Sequence, residues 1–215
     1  MNQMPILKRL FVVAALAALA AMSASCGDVS RQGRSPVYLV IDSLQGRRGA
    51  ATPGPLSGTV VSDVITNVTS PPPCSSGSPC PTVFNDSGQV VLRTSLKDIG
   101  SAANPTVPTS NNEVTITRYR VSYRRADGRN IPGVDVPYGF EGAATGTIPT
   151  GGTLTLTFEL VRSLAKEESP LLELKVSAVV ITAIADVTFY GRDQVGNDIT
   201  TTGSILIEFG NFGDS

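Results

Sequence analysis

Ser163-Leu164-Ala165-Lys166 places a hydroxyl and an amine at the S-x-x-K spacing of acyl-transfer nucleophiles. There the lysine would have to ease removal of the Ser163 proton as the oxygen attacked a carbonyl. Ser110-Asn111-Asn112 offers an S-x-N tripeptide, yet no K-T-G exists and the two motifs stand in reversed order. This chain also lacks the sequence for the helical domain such enzymes use, so the four residues read as a polar connecting turn. With no histidine among 215 residues, Ser-His-Asp, Cys-His and histidine-zinc chemistry are excluded. Asp193, Asn197 and Asp198 cluster behind Asp186 and could approach a calcium ion. Calcium takes roughly six to eight oxygens, more than this group supplies, and Asp and Asn favour turns in any case. The expectation is a non-enzyme with no metal and no other cofactor.

A basic group follows in residues 113–129, EVTITRYRVSYRRADGR. Strand alternation sets Arg118, Arg120 and Arg124 on the face opposite Tyr119, Val121 and Tyr123. Such a stripe is a candidate anion-binding surface, for phosphate or carboxylate groups of lipopolysaccharide or acidic glycans. The competing reading is a solvated strand face whose charges pair with nearby acids and discourage edge-to-edge association. A net charge of -1 gives no reason to expect nucleic acid. The five Tyr and seven Phe fall largely at inward positions, and there is no Trp, so core packing accounts for them before any sugar-binding platform does.

These groups need a frame, and the first 26 residues say where it is delivered. Lys8 and Arg9 precede an unbroken apolar run over residues 10–22. That run is shorter than the roughly 20 residues of a membrane span and fits a secretory signal peptide, residues 1–25. Ser23, Ala24 and Ser25 directly before Cys26 resemble the lipobox of bacterial lipoproteins, although that family usually has Leu where Ser23 stands. The resemblance implies a lipid thioether on Cys26, cleavage in front of it and attachment to a membrane of the cell envelope. Three cysteines are present. With Cys26 consumed by lipid, Cys74 and Cys80 in PPPCSSGSPCP are left to form a disulfide, as the periplasm or exterior permits. Cleavage after Ala18-Leu19-Ala20 is the alternative and would release a soluble secreted protein. Loss of residues 1–25 removes two basic residues and no acid, taking the net charge from -1 to -3. Acyl chains rather than charge would then hold the chain to a bilayer.

Residues 27–36 carry almost no large apolar side chain and read as the remainder of a tether over 26–36. Residues 37–215 form a single domain in this reading. Strand patterns are expected over 37–42, 59–68, 90–96, 114–123, 153–161, 172–184, 186–192 and 204–209, with Asp86-Ser87-Gly88 as a turn before the third. Alternation is clearest in TLTLTFEL, where Leu154, Leu156, Phe158 and Leu160 share one face, and in SILIEFG, where Ile205, Ile207 and Phe209 do. Residues 163–169 make at most a turn or two of helix before Pro170. Residues 47–55, 70–81 and 101–112 are long irregular loops. About eight strands punctuated by Gly, Pro, Asn and Asp predict an all-β antiparallel sandwich.

Tyr119, Val121 and Tyr123, followed by Asp127 and Gly128, resemble the third strand and turn of fibronectin type III domains. Asp193, Gly196 and Asn197 are similar to the last hairpin turn of bacterial Ig-like domains. The resemblance implies an Ig-like sandwich used for adhesion, binding or spacing, with an envelope protein or a glycan as partner. The usual core Trp and inter-sheet cysteine pair of that fold are missing.

Overall fold

The computed structural model describes residues 33–213; the expected signal peptide, Cys26 and the tether as far as residue 32 lie outside them. Ten strands follow in order: β1 (Val37–Arg47), β2 (Thr59–Asp63), β3 (Thr66–Val68), β4 (Cys80–Thr82), β5 (Asp86–Leu96), β6 (Val114–Arg124), β7 (Phe140–Ile148), β8 (Thr153–Val161), β9 (Ile181–Asp193) and β10 (Asp198–Gly210). One sheet has the order β2-β10-β9-β6-β7 and the other β1-β5-β8. Pairing is antiparallel throughout, except that the short β2 runs parallel to β10 at the sheet edge. β3 and β4 make a separate small hairpin, closed near its tip by the Cys74–Cys80 disulfide. The chain is thus the all-β sandwich its alternation predicts, with two more strands than expected.

Two-residue periodicity explains how the core fills. Val90 and Leu92 of β5, with Phe158 and Leu160 of β8, face Val121, Val187, Phe189, Ile207 and Phe209 of the larger sheet. Tyr119 and Tyr123 also point inward, and their hydroxyls cross the sandwich. The Leu160 carbonyl accepts from Tyr123 at 2.7 Å, and the Glu159 amide donates to the Tyr119 oxygen at 3.2 Å. Burial, with Asp86 nearby, pushes the Tyr123 hydroxyl pKa far above its ordinary value, which favours the protonated form that donates this bond. Two tyrosines therefore tie the sheets together where an immunoglobulin domain would use a disulfide.

Four expectations are corrected. β7, sequence FEGAATGTI, lies outside the expected strands: its apolar signal is weak because Gly142 must stay small beneath the Tyr119 ring, where a Cβ would lie 2.5 Å from ring atoms. Residues 172–184 are not one strand. Leu172–Val176 is a 3-10 turn, Val176 is 95% exposed, and the strand begins only at Ile181. From there β9 runs unbroken through Ala185 to Asp193, joining what reads as two strands. Asp86-Ser87-Gly88 is no turn but the opening of β5, with Asp86 and Gly88 at inward positions. The Ser163–Glu167 segment is a 3-10 turn, as short as its sequence suggests.

A bulge sets the phase of β6. Its register shifts between Ile116 and Arg118 against both β7 and β9. Thr117 and Arg118 are consequently both exposed, while Ile116 and Tyr119 are both buried. Without that extra residue, strict alternation from Ile116 would turn Arg118 into the core.

Candidate functional site

The outer face of the larger sheet carries the arginine stripe. Arg118, Arg120 and Arg124 all project to solvent from β6, opposite the buried Tyr119, Val121 and Tyr123. Most of that charge is already answered. Arg118 meets Glu141 of β7 at 2.9 Å and lies 3.5 Å over the Tyr190 ring of β9. Arg124 grips Asp186 with two nitrogens, at 2.7 and 3.3 Å, and the Ser204 hydroxyl donates to the same carboxylate at 2.6 Å. Further along, Arg192 pairs with Asp198 at 2.7 Å. Arg120 is the member of the stripe with no ion pair among the described residues. Hydroxyl pairs between Thr115 and Thr147 and between Thr188 and Thr202 bridge neighbouring strands on the same face. The surface is polar and nearly neutral rather than strongly basic.

Asp186 gives this face a pH dependence. Its partial burial opposes ionisation, but the hydrogen bonds from Arg124 and Ser204 and the Arg124 charge outweigh it, so its pKa sits below the ordinary carboxylate value. A depressed carboxylate stabilises the fold above its unfolded pKa of about 3.9, and that contribution disappears as pH falls through the native value. Thermal melts from pH 7 down to pH 2 should therefore show a steeper acid limb for the wild type than for Asp186→Asn. Superimposable limbs would show that the Arg124–Asp186 contact adds nothing, as solvent screening allows for exposed pairs.

Beside Arg118 the face sinks into a depression of about 500 Å³, lined by Thr117, Arg118, Tyr190, Arg192, Asp198 and Thr200. Its floor follows from side-chain length. Thr117 in the bulge and Thr200 on β10 are short, while Arg118, Tyr190 and Arg192 stand tall around them.

The acidic turn does not assemble a cation site. Asp193 is buried and its carboxylate accepts from the Val195 and Asn197 amides at 3.1 and 2.8 Å and from the Asn197 side chain at 2.8 Å. It shapes the β9–β10 turn, while Asp198 and Asp186 are held by Arg192 and Arg124. Among the described residues no three His, Cys, Asp or Glu side chains converge as a metal site would require.

The polar cluster that alternation misses lies at the other end of the sandwich. Lys166 and Asp86 both have fully buried side chains and meet at 2.9 Å. Lys166 Nζ also donates to the Asp63 carbonyl at 2.9 Å. The Gly49 amide donates to Asp86 Oδ1 at 2.7 Å, and the Ser62 hydroxyl caps Oδ2. The S-x-x-K lysine is thus spent on an internal ion pair, and no hydrogen bond joins it to the Ser163 hydroxyl. An acid at an inward position of a strand demands a buried counter-charge, but Asp86 is recognisable as inward only once β5 is known to begin there.

No family model matches the chain, and no curated protein matches it. Among solved structures it is similar to the solution structure of a protein described as late embryogenesis abundant (LEA). The identity is 13%, with 96% of this chain and 88% of that chain covered at a TM-score of 0.34. A likeness that slight carries no argument about function.

Proposed function

We propose that the chain is a lipid-anchored protein of the bacterial cell envelope whose β sandwich has a non-catalytic binding or structural role. The observation that carries this reading is the run from Lys8 and Arg9 through an apolar stretch to Ser23-Ala24-Ser25-Cys26. Two further observations support it. Cys74 and Cys80 pair with each other, leaving Cys26 as the odd thiol, and a disulfide suits an oxidising compartment. Among the described residues no helix is long and apolar enough to cross a membrane, and a lipid on Cys26 needs none.

In this reading β1 begins eleven residues after the lipidated cysteine, a reach of at most about 40 Å when extended. The β1 start shares its end of the sandwich with the β7–β8 and β9–β10 turns, since Val37 pairs with Leu96, Arg93 with Thr153 and Val114 with both Ile148 and Asp193. That end faces the bilayer, and the disulfide hairpin and the Lys166–Asp86 cluster stand away from it.

Mass spectrometry of the N-terminal peptide from native material tests the anchor. The expected product begins at Cys26 with a diacylglycerol thioether on sulfur. A soluble protein beginning at Ala21 with an unmodified Cys26 thiol would overturn the proposal.

A further inference from the structure

We propose that the depression around Tyr190 is a binding site for a neutral, hydroxyl-rich saccharide. This deepens the binding role proposed above, but it does not depend on the anchor. Tyr190 stands on β9 directly between Arg118 of β6 and Thr200 of β10. The Arg118 guanidinium covers the ring at 3.5 Å from one side. On the β10 side the cross-strand neighbour is only a threonine, and both residues line the depression. An aromatic surface is therefore left open to a volume of about 500 Å³, within the usual range for small-ligand sites and large enough for about two sugar rings.

Charge bookkeeping selects the ligand class. Arg118 is matched by Glu141 at 2.9 Å and Arg192 by Asp198 at 2.7 Å. A free anion would meet guanidinium groups whose charge a carboxylate in contact with each already offsets. A neutral sugar needs no free charge. Its ring can stack on tyrosine, while vicinal hydroxyls accept from an arginine and donate to the aspartate beside it. Thr117 and Thr200 add hydroxyls at the floor. The bulge at Thr117, which turns both it and Arg118 outward, is the kind of strand irregularity that re-aims side chains next to functional sites. The whole constellation rests on three interior strands, β6, β9 and β10, rather than on loops, so it is held rigidly before any ligand arrives.

The test is an amide NMR titration of the full chain, purified as the cell processes it and kept in a sugar-free amine-oxide detergent. Chitotetraose, cellotetraose and mannotetraose are the neutral probes, with trigalacturonate and inorganic phosphate as charged comparisons. At least one neutral probe should shift amides confined to residues 117–118, 190–192 and 198–200, with a Kd of about 1 mM. Thr200→Tyr fills the open side of the ring with a residue suited to strands and should weaken binding about tenfold or more at unchanged melting temperature. Tyr190→Ser should do the same; if it fails to fold, Thr200→Tyr still decides. The proposal is overturned by no shifts from any neutral probe at about 20 mM, by undiminished binding to Thr200→Tyr, or by a response to the charged compounds alone. Failure here leaves the lipid on Cys26 intact, and an unmodified Cys26 would leave the saccharide result standing.

Discussion

Lys166→Met is expected to cost about 3–5 kcal/mol of folding free energy, the usual penalty for stranding one member of a buried ion pair. That is a large share of the roughly 5–15 kcal/mol by which a domain is stable. Among the described residues the variant leaves the buried Asp86 carboxylate with the Ser62 hydroxyl and the Gly49 amide as donors, and removes the Lys166 hydrogen bond to the Asp63 carbonyl. The effect is not confined to one contact, because the four segments meeting here come from both sheets. They are the loop after β1, the end of β2, the start of β5 and the 3-10 turn after β8. Urea denaturation followed by circular dichroism reads the loss directly. The double variant Lys166→Met/Asp86→Leu should regain more than about 1 kcal/mol, since removing both charges is less costly than orphaning one. Recovery will be incomplete, because the Ser62 hydroxyl and the Gly49 amide both lose the Asp86 carboxylate. A loss below about 1 kcal/mol for the single variant would mean that the pair is solvated in solution.

Much of the frame is legible in the sequence because burial on one face leaves a period of two. β8 and the second half of β10 can be read residue by residue from TLTLTFEL and SILIEFG. The reading fails where packing replaces apolar pattern. β7 hides its strand character because Gly142 and Gly146 yield space to Tyr119 and to Leu154. β5 hides its start because Asp86 and Gly88, both common in turns, are there for other reasons. Asp86 receives Lys166 from 80 residues away, and Gly88 lies beneath the Phe158 ring, whose atoms would sit 2.4–2.9 Å from any Cβ. Neither long-range partner leaves a local trace. The arginine stripe is visible in sequence, and so is the reading that nearby acids pair with it, but which acids do so is not, since Glu141 and Asp186 come from two other strands. The depression depends on cross-strand register, which places Tyr190 between Arg118 and Thr200. A single sequence does not state register.

Phe189→Ala should be as damaging as the loss of Lys166, at about 3–5 kcal/mol, through a cavity rather than a charge. Phe189 is fully buried at the middle of β9. Its ring meets Phe158 of the opposite sheet edge-on with centroids 5.4 Å apart and lies 6.5 Å from Tyr119. Phe158 in turn contacts Tyr119 at 5.1 Å, so three rings from three strands pack together between the sheets. Truncation removes area from all of these contacts, and the surrounding β-branched side chains are too stiff to collapse into the void. For a chain of this size the loss corresponds to a fall in melting temperature of about 10 °C. Phe189→Leu should cost less than half as much. Phe158→Ala combined with Phe189→Ala should fall short of the sum of the singles, because the two rings share one contact. Strict additivity would show that the rings do not touch in solution. The consequence reaches the outer surface: Phe189 and Tyr190 are consecutive, so the ring that anchors β9 from inside also fixes the height at which Tyr190 stands above the sheet. A Phe189→Ala protein held folded at low temperature should therefore lose saccharide affinity although the substituted side chain touches no ligand.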